Sequence, residues 1–240
     1  MPQNVKEEPA IRIIFLPDLL KMLDIGVFQQ NPPILTMKSM LRTAMRLGSG
    51  ADMTSNAIPG KDHLRIHWMT LFLQLPERGI AENFPSVVSC NRRLAEIRWP
   101  NGPVCTSCGG DNVGFLSGRQ IYYCRDCNYQ CSVKAKTLLH RSRLDLRTSF
   151  FAAEFIICCH AYGNEWSHLT GHAFADQLGI SYVAARRLKK SLVDDLSQPG
   201  GGLIGKCLSM RALQRPNEIR ENSPEHFFWI YDQLPQPDAL

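Results

Sequence analysis

Four cysteines stand in two Cys-x-x-Cys pairs, Cys105/Cys108 and Cys124/Cys127, with fifteen residues between the pairs. That spacing suits one four-thiolate zinc site. Two residues between paired cysteines let a tight knuckle aim both sulfurs at one ion, and a second knuckle completes the tetrahedron. Gly109 and Gly110 follow the first pair, where the chain must turn back through a positive φ. Between the knuckles, Val113, Phe115 and Leu116 precede Ser117-Gly118, and Ile121, Tyr122 and Tyr123 follow it. This is the pattern of a β-hairpin, so the stretch reads as a zinc ribbon. With all four ligand positions thiolate, no coordination site is left for water, and the one Zn2+ expected is structural. It contributes on the order of 10 kcal/mol of apparent folding free energy to a segment too small for a core of its own.

The other residues with chemical potential are basic. The formal charge of +5 is modest, but its distribution is uneven. From Arg119 to Arg147 the cations Arg119, Arg125, Lys134, Lys136, Arg141, Arg143 and Arg147 face two acids, Asp126 and Asp145, and a second cluster gathers Arg186, Arg187, Lys189 and Lys190. Such clusters suit a phosphate backbone, or else form a solvated face. The second lies in GHAFADQLGISYVAARRLKKSLVDDL, residues 171–196. There a helix carrying Phe174, Ala175 and Leu178 stops at Gly179, Ile180 plugs the turn, and Ser181 caps a second helix with Ala185, Leu188 and Leu192 facing inward. Helix, glycine turn, helix is the helix-turn-helix arrangement, although an ordinary αα-corner has the same outline. In the DNA-binding reading Ser181, Tyr182, Arg186, Arg187 and Lys190 face the major groove and its phosphates, with Lys134, Lys136, Arg141 and Arg143 as further phosphate contacts.

The remaining elements position these groups. Residues 1–62 read as a weakly ordered N-terminal arm and linker: Ile11–Phe28 is helix-compatible, and residues 30–62 are linker or weakly ordered chain, with an interaction arm as their functional alternative. A helical segment over 63–100 packs on the ribbon: one helix runs from His63 to Leu75 and is stopped by Pro76, and a second is capped by Ser86 and ended by Pro100, with Trp99 as anchor. The ribbon occupies 101–136, with Tyr129–Val133 as a third strand. A helical domain with the helix-turn-helix spans 137–196. Residues 197–240 form a flexible tail whose aromatic motif, His226–Tyr231, either folds back or docks elsewhere. The fold class is mostly α with a small β zinc ribbon followed by a helical helix-turn-helix domain.

Composition is that of a globular protein, with 44% hydrophobic residues. The N-terminus has no signal-peptide pattern, and the apolar run at Phe150–Cys159 is broken by Glu154, so no membrane is expected. Cys90, Cys131, Cys158, Cys159 and Cys207 are expected to be free thiols in a reducing cytoplasm, in association with the nucleoid. Cys131 is a spare candidate ligand, but Cys127 already completes the spacing. His140 reads as a local hydrogen-bonding residue or a phosphate contact, because a four-thiolate zinc has no vacancy for it.

RWPNGPVCTSCGG, YYCRDCNYQCSV, LLHRSRLDLRTSF and FADQLGISYVAARRL, in this order, resemble the N-terminal part of bacterial insertion-sequence transposases that open with a zinc ribbon and a helix-turn-helix. The resemblance covers roughly Phe84 to Leu196. It implies double-stranded DNA as partner, and it places Cys105, Cys108, Cys124 and Cys127 on the family's zinc positions, while Cys131 stands where the family usually has an aromatic. In that family an RNase-H-like core with an acidic triad follows. Residues 197–240 are too few for such a core, and Asp194 and Asp195 read as solvated acids. The chain is therefore expected to be no enzyme but a DNA-binding protein, a transposase-derived regulator or truncated transposase. Two alternatives stand beside it: a DNA-targeting subunit or remnant that needs a separate transposase core, and a zinc-ribbon adaptor that contacts transcription machinery. Oligomeric state is open.

Overall fold

The computed structural model describes residues 60–162 and 170–235. Expectations for Ile11–Phe28 and for the linker up to residue 59 lie outside these residues. The described chain divides into two compact units, one within 67–214 and the other of residues 60–66 and 215–235. The architecture is mostly helical with one small three-stranded antiparallel sheet. No helix among the described residues is long and apolar enough to cross a membrane.

Helix α1 (Gly60–Gln74) is followed by the short α2 (Gly79–Asn83) and by α3 (Val87–Arg98). α1 starts inside the segment expected to be linker. Of its apolar pattern, Ile66, Trp68, Leu71 and Phe72 are buried, whereas Leu64 is exposed. α3 begins with a reciprocal capping box: the Ser89 amide donates to Ser86 Oγ at 3.1 Å, and the Ser86 amide donates to Ser89 Oγ at 3.2 Å. Two orphan amides of the first turn are thereby satisfied. α3 ends at Trp99, as Pro100 requires.

The sheet follows, with β1 (Val113–Leu116), β2 (Ile121–Cys124) and β3 (Gln130–Ser132) in the order β1-β2-β3. Phe115 pairs with Tyr122, and Tyr122 pairs with Cys131, so these three share one face. The hairpin turn is a 3₁₀ turn at Ser117–Arg119, and its left-handed residue is Gln120 (φ 52°) instead of Gly118. The Gln120 side-chain amide donates to the Ser117 carbonyl at 2.8 Å and holds that conformation.

Helix α4 (Leu146–Ala161) is the centre of the larger unit. Asp145 caps it, accepting the Thr148 amide at 2.6 Å. Leu146, Phe150, Ala152, Ala153, Ile156, Ile157, Cys158 and Ala161 are all buried, and α2, α3, α6 (Tyr182–Leu196) and α7 (Gly202–Leu208) pack on it. Alanine and cysteine let neighbouring backbones approach closely. Cys158 and Cys159 are core residues, and burial pushes both thiols up, Cys159 to about 12. Helix α5 (Gly171–Leu178) leads through Gly179 into α6.

The segment after Asp195, expected to be flexible, contains the 3₁₀ turn Pro199–Gly201 and helix α7, with Ile204, Cys207 and Leu208 fully buried. Its glycine run is a conformational requirement: Gly200, Gly201 and Gly202 have φ of 69°, 77° and 62°. Three successive left-handed residues are tolerable only without Cβ atoms. At Gly202 a Cβ would also strike the Asp195 carbonyl oxygen, and at Gly201 it would lie 2.6 Å from Leu71 Cδ2. Asp195 is correspondingly not a solvated acid. Its half-buried carboxylate accepts the Leu203 amide at 3.2 Å and the Ile204 amide at 2.8 Å, fixing the first turn of α7. Asp194 is exposed. At the other end, the Arg93 guanidinium donates to the carbonyls of Cys207 at 3.0 Å and Ser209 at 3.3 Å.

In the smaller unit, Ser223 caps α8 (Pro224–Asp232), with Pro224 in its first turn. The aromatic motif is thus a helix that buries His226, Phe227 and Ile230, and Arg65 lies over the Phe227 ring at 5.3 Å.

One carboxylate in the core titrates far from its usual range. Glu154 of α4 accepts the Ile80 amide at 3.1 Å, and burial raises its carboxyl from 4.5 to about 7. The native state therefore holds this proton more tightly than the unfolded chain does. Stability is lost as pH rises from about 4.5 to 7, on the order of 2 kcal/mol once partial exposure is discounted. Glu154→Gln keeps an acceptor for Ile80 without the charge. Melting temperatures measured from pH 4 to 8 should show the variant gaining on wild type through this window and keeping a constant lead above it.

Candidate metal centre

The two knuckles are built alike. In the first, the Cys105 amide donates to the Gly110 carbonyl at 2.8 Å and the Gly109 amide donates to the Cys105 carbonyl at 2.9 Å. In the second, the Cys124 amide donates to the Tyr129 carbonyl at 2.9 Å and the Asn128 amide donates to the Cys124 carbonyl at 3.0 Å. Each closes through a left-handed residue four positions after its first cysteine, Gly109 at φ 79° and Asn128 at φ 59°. Asparagine is among the few residues with a side chain that tolerate this conformation. Gly110, expected to share the turn, instead meets a steric limit: a Cβ there would lie 2.9 Å from Asp126 Oδ2. Asn112 latches the knuckles together. Its carbonyl accepts the Arg125 amide at 2.9 Å, and its side chain donates to Asp126 Oδ1 at 2.9 Å and accepts from Arg125 at 3.2 Å.

The four sulfurs converge. Cys105 Sγ lies 3.6 Å from Cys127 Sγ, Cys108 Sγ lies 3.6 Å from Cys124 Sγ, and all four are within 4.8 Å of one another. Sulfurs at about 2.3 Å from a tetrahedral zinc stand about 3.8 Å apart, so the donor set fits a zinc ion in both geometry and softness. The knuckle amides are arranged for thiolates as well. Cys105 is lowered to about 6, chiefly by the amides of Cys108 and then Ser107, the latter 3.4 Å from its sulfur, while Cys108 and Cys127, despite the Gly110 and Tyr129 amides, are raised by neighbouring sulfurs and burial. Cys131 lies outside the cluster, on β3 beside Tyr122.

Residues 85–130 match the transposase zinc-ribbon domain of the IS1595 type. The matched span runs from the residue before the α3 cap to the first residue of β3, so helix and ribbon belong to one module. No curated protein and no solved structure matches the chain.

The transposase-type ribbon is joined to its helix by packing. Trp99 at the end of α3 meets Tyr122 of β2 edge-on at 4.8 Å, and Tyr122 meets Phe115 at 4.8 Å. Arg98 lies over the Trp99 ring at 4.6 Å and donates to the Val133 carbonyl at 2.6 Å. On the other sheet face the Tyr123 ring lies over Gly114, where a Cβ would collide with it. The expected anchor role of Trp99 therefore corresponds to a direct contact.

The expected nucleic-acid residues fall into two groups. Lys134 donates to the carbonyls of Ser142 at 3.0 Å and Leu144 at 2.7 Å, and Lys136 donates to the Thr106 carbonyl. Both ammonium groups are engaged in tying loops to the ribbon, a role invisible in a count of charges. Arg141 and Arg143 are exposed, and the Lys136 amide donates to His140 Nδ1 at 3.1 Å. Ser181, Tyr182, Arg186, Arg187 and Lys190 are all exposed on α6 or at its cap, with Ser181 Oγ accepting the Ala184 amide at 3.4 Å. The structure brings these five together on one element, well separated in sequence from the ribbon lysines. Asn112, Asn128 and Arg98 were missed in the sequence. Only Asn128 carried a signal, since it occupies the second knuckle's equivalent of Gly109.

Purified protein should carry one zinc per chain by elemental mass spectrometry. Cys124→Ser should lose it and unfold the ribbon, seen as loss of the Tyr122 and Phe115 side-chain NMR shifts. Cys131→Ser should retain both the metal and those shifts.

Proposed function

We propose that the protein is a non-catalytic, zinc-dependent DNA-binding protein that uses its ribbon and helix α6 on double-stranded DNA, as a transposase-derived regulator or truncated transposase. The observation that carries this reading is the sorting of α6 into two faces. Ala185, Leu188, Leu192 and Leu196 are buried, while Tyr182, Val183, Arg186, Arg187 and Lys190 are exposed. At 100° per residue those exposed side chains span an arc of about 140° opposite the buried one.

The approach to α6 supports the same reading. Gly179 is left-handed (φ 63°), and the Ile180 amide donates to the Ala175 carbonyl at 3.1 Å, closing the end of α5. Ser181 then caps α6 at once, so the two helices meet with Phe174, Ala175 and Leu178 buried on the α5 side. A helix-turn-helix needs this short, rigid connection, because the second helix must be held at a fixed angle to reach the major groove. The family of the matched ribbon points to nucleic acid as well. In this reading Arg186, Arg187 and Lys190 supply base and phosphate contacts, Arg141 and Arg143 supply further phosphate contacts, and the zinc holds the ribbon in shape. The role requires no catalytic group in this chain and includes association with the nucleoid.

The test is selection from pooled random duplexes by electrophoretic shift with zinc-loaded protein at two salt concentrations. Enrichment of one motif, with affinity falling as salt rises, is the expected result. Lys190→Ala should lower affinity across all sequences and reduce the log–log salt slope by about 1, with unchanged melting temperature. Absence of binding at low salt would refute the proposal.

A further inference from the structure

The first turn of α6 carries two apolar side chains that the fold leaves in the open. Val183 is 57% exposed and Tyr182 is 41% exposed, although Ala185 one turn on is fully buried. The Tyr182 ring is not loose. It stacks on His172 of α5 at 4.4 Å and 19°, and it lies so close over Gly171 that a Cβ there would be 2.6 Å from Tyr182 Cε2. An aromatic clamped between a histidine ring and a glycine keeps one rotamer at the surface, a rigid contact with little entropy left to lose on binding.

The chemistry of the whole face is selective. From Ser181 to Lys190 the sequence is SYVAARRLKK, with no Asn, Gln, Asp or Glu. It therefore lacks the amide that pairs with adenine N6 and N7 and the carboxylate that accepts from cytosine N4. It offers guanidinium groups, which suit guanine O6 and N7, and apolar surface, which suits the C5-methyl of thymine. In a recognition helix the N-terminal residues are those that reach base edges. Val183 and Tyr182 are in that position, and Arg186 follows Tyr182 one turn later.

Resting on the DNA-binding reading above, we infer that Val183 and the His172-clamped Tyr182 read thymine methyl groups in the major groove, next to a guanine read by Arg186 or Arg187. His172 is thereby a positioning residue for Tyr182. The target site should contain thymine neighbouring guanine.

The probe is the duplex selected by the full-length protein, with each thymine replaced in turn by deoxyuracil. The replacement keeps Watson–Crick pairing and removes only the methyl. Uracil at one or two positions should weaken binding about fourfold each, the loss of one buried methyl. Val183→Ala should show a similar loss on the thymine duplex and no further loss on the uracil duplex at its position. His172→Ala should lower discrimination at the Tyr182 position, and His172→Phe, which preserves the stack, should restore it; melting temperatures should remain those of wild type. Specific, salt-dependent binding that is indifferent to uracil at every thymine would overturn the inference and leave the DNA-binding function standing. No salt-dependent binding to any duplex would remove both.

Discussion

The convergence of four thiolates on one point is the constraint on which the ribbon depends. Its sheet has two strands of four residues and one of three. Phe115 and Leu116 are exposed, and within the strands only Gly114 and Cys124 are buried. Strands of that length with so little apolar cover do not hold together in water unaided. A shared ion changes the balance because ligand binding free energy becomes folding free energy. The matched knuckle hydrogen bonds, the left-handed Gly109 and Asn128, and the Asn112 latch between the knuckles serve the placement of sulfurs. A metal held there would act through shape, with α3 as the handle that joins the ribbon to the helical body by way of Trp99 and Arg98.

The same logic separates what was legible in the sequence from what was not. Cysteine spacing, the Ser86 and Ser181 caps, the Gly179 stop and the third strand could be read directly, because each is a local device in which residue type and conformation are tied together. The glycine run at 200–202 could not. Glycine signals conformational freedom, and freedom serves disorder and forced left-handed geometry equally well; only the carboxylate of Asp195, five residues or more upstream, decides between them. The turn at Gln120 misled for the converse reason. Gly118, two residues earlier, offered the conformational freedom, but a side-chain hydrogen bond to Ser117 stabilised the positive φ at Gln120, a residue with a Cβ.

Charge was the least legible property. Lys134 and Lys136 belong to the longer basic stretch, yet their ammonium groups meet backbone carbonyls, those of Ser142 and Leu144 in the loop after the ribbon and that of Thr106 in the first knuckle. A carbonyl cluster at a loop end attracts a lysine as a phosphate does, and sequence alone does not distinguish them. The capping acids Asp145 and Asp195 show the same ambiguity with the sign reversed, each being engaged by backbone amides.

Helical geometry resolves the second cluster where composition could not. Arg186, Lys190 and Arg187 fall within the exposed arc of α6, but Lys189 lies at about 340° from Tyr182, beside the buried stripe. It is half-buried, and burial lowers its ammonium pKa, with Cys159 among its neighbours. One lysine of the adjacent pair is thus partly buried near Cys159 of α4, while the other is exposed to solvent. Two identical residues in succession do different physical work because 100° of rotation separates them. The basic cluster therefore divides into an exposed face and a packing face, and the exposed face begins with two apolar residues, Tyr182 and Val183, that no tally of charge would have included.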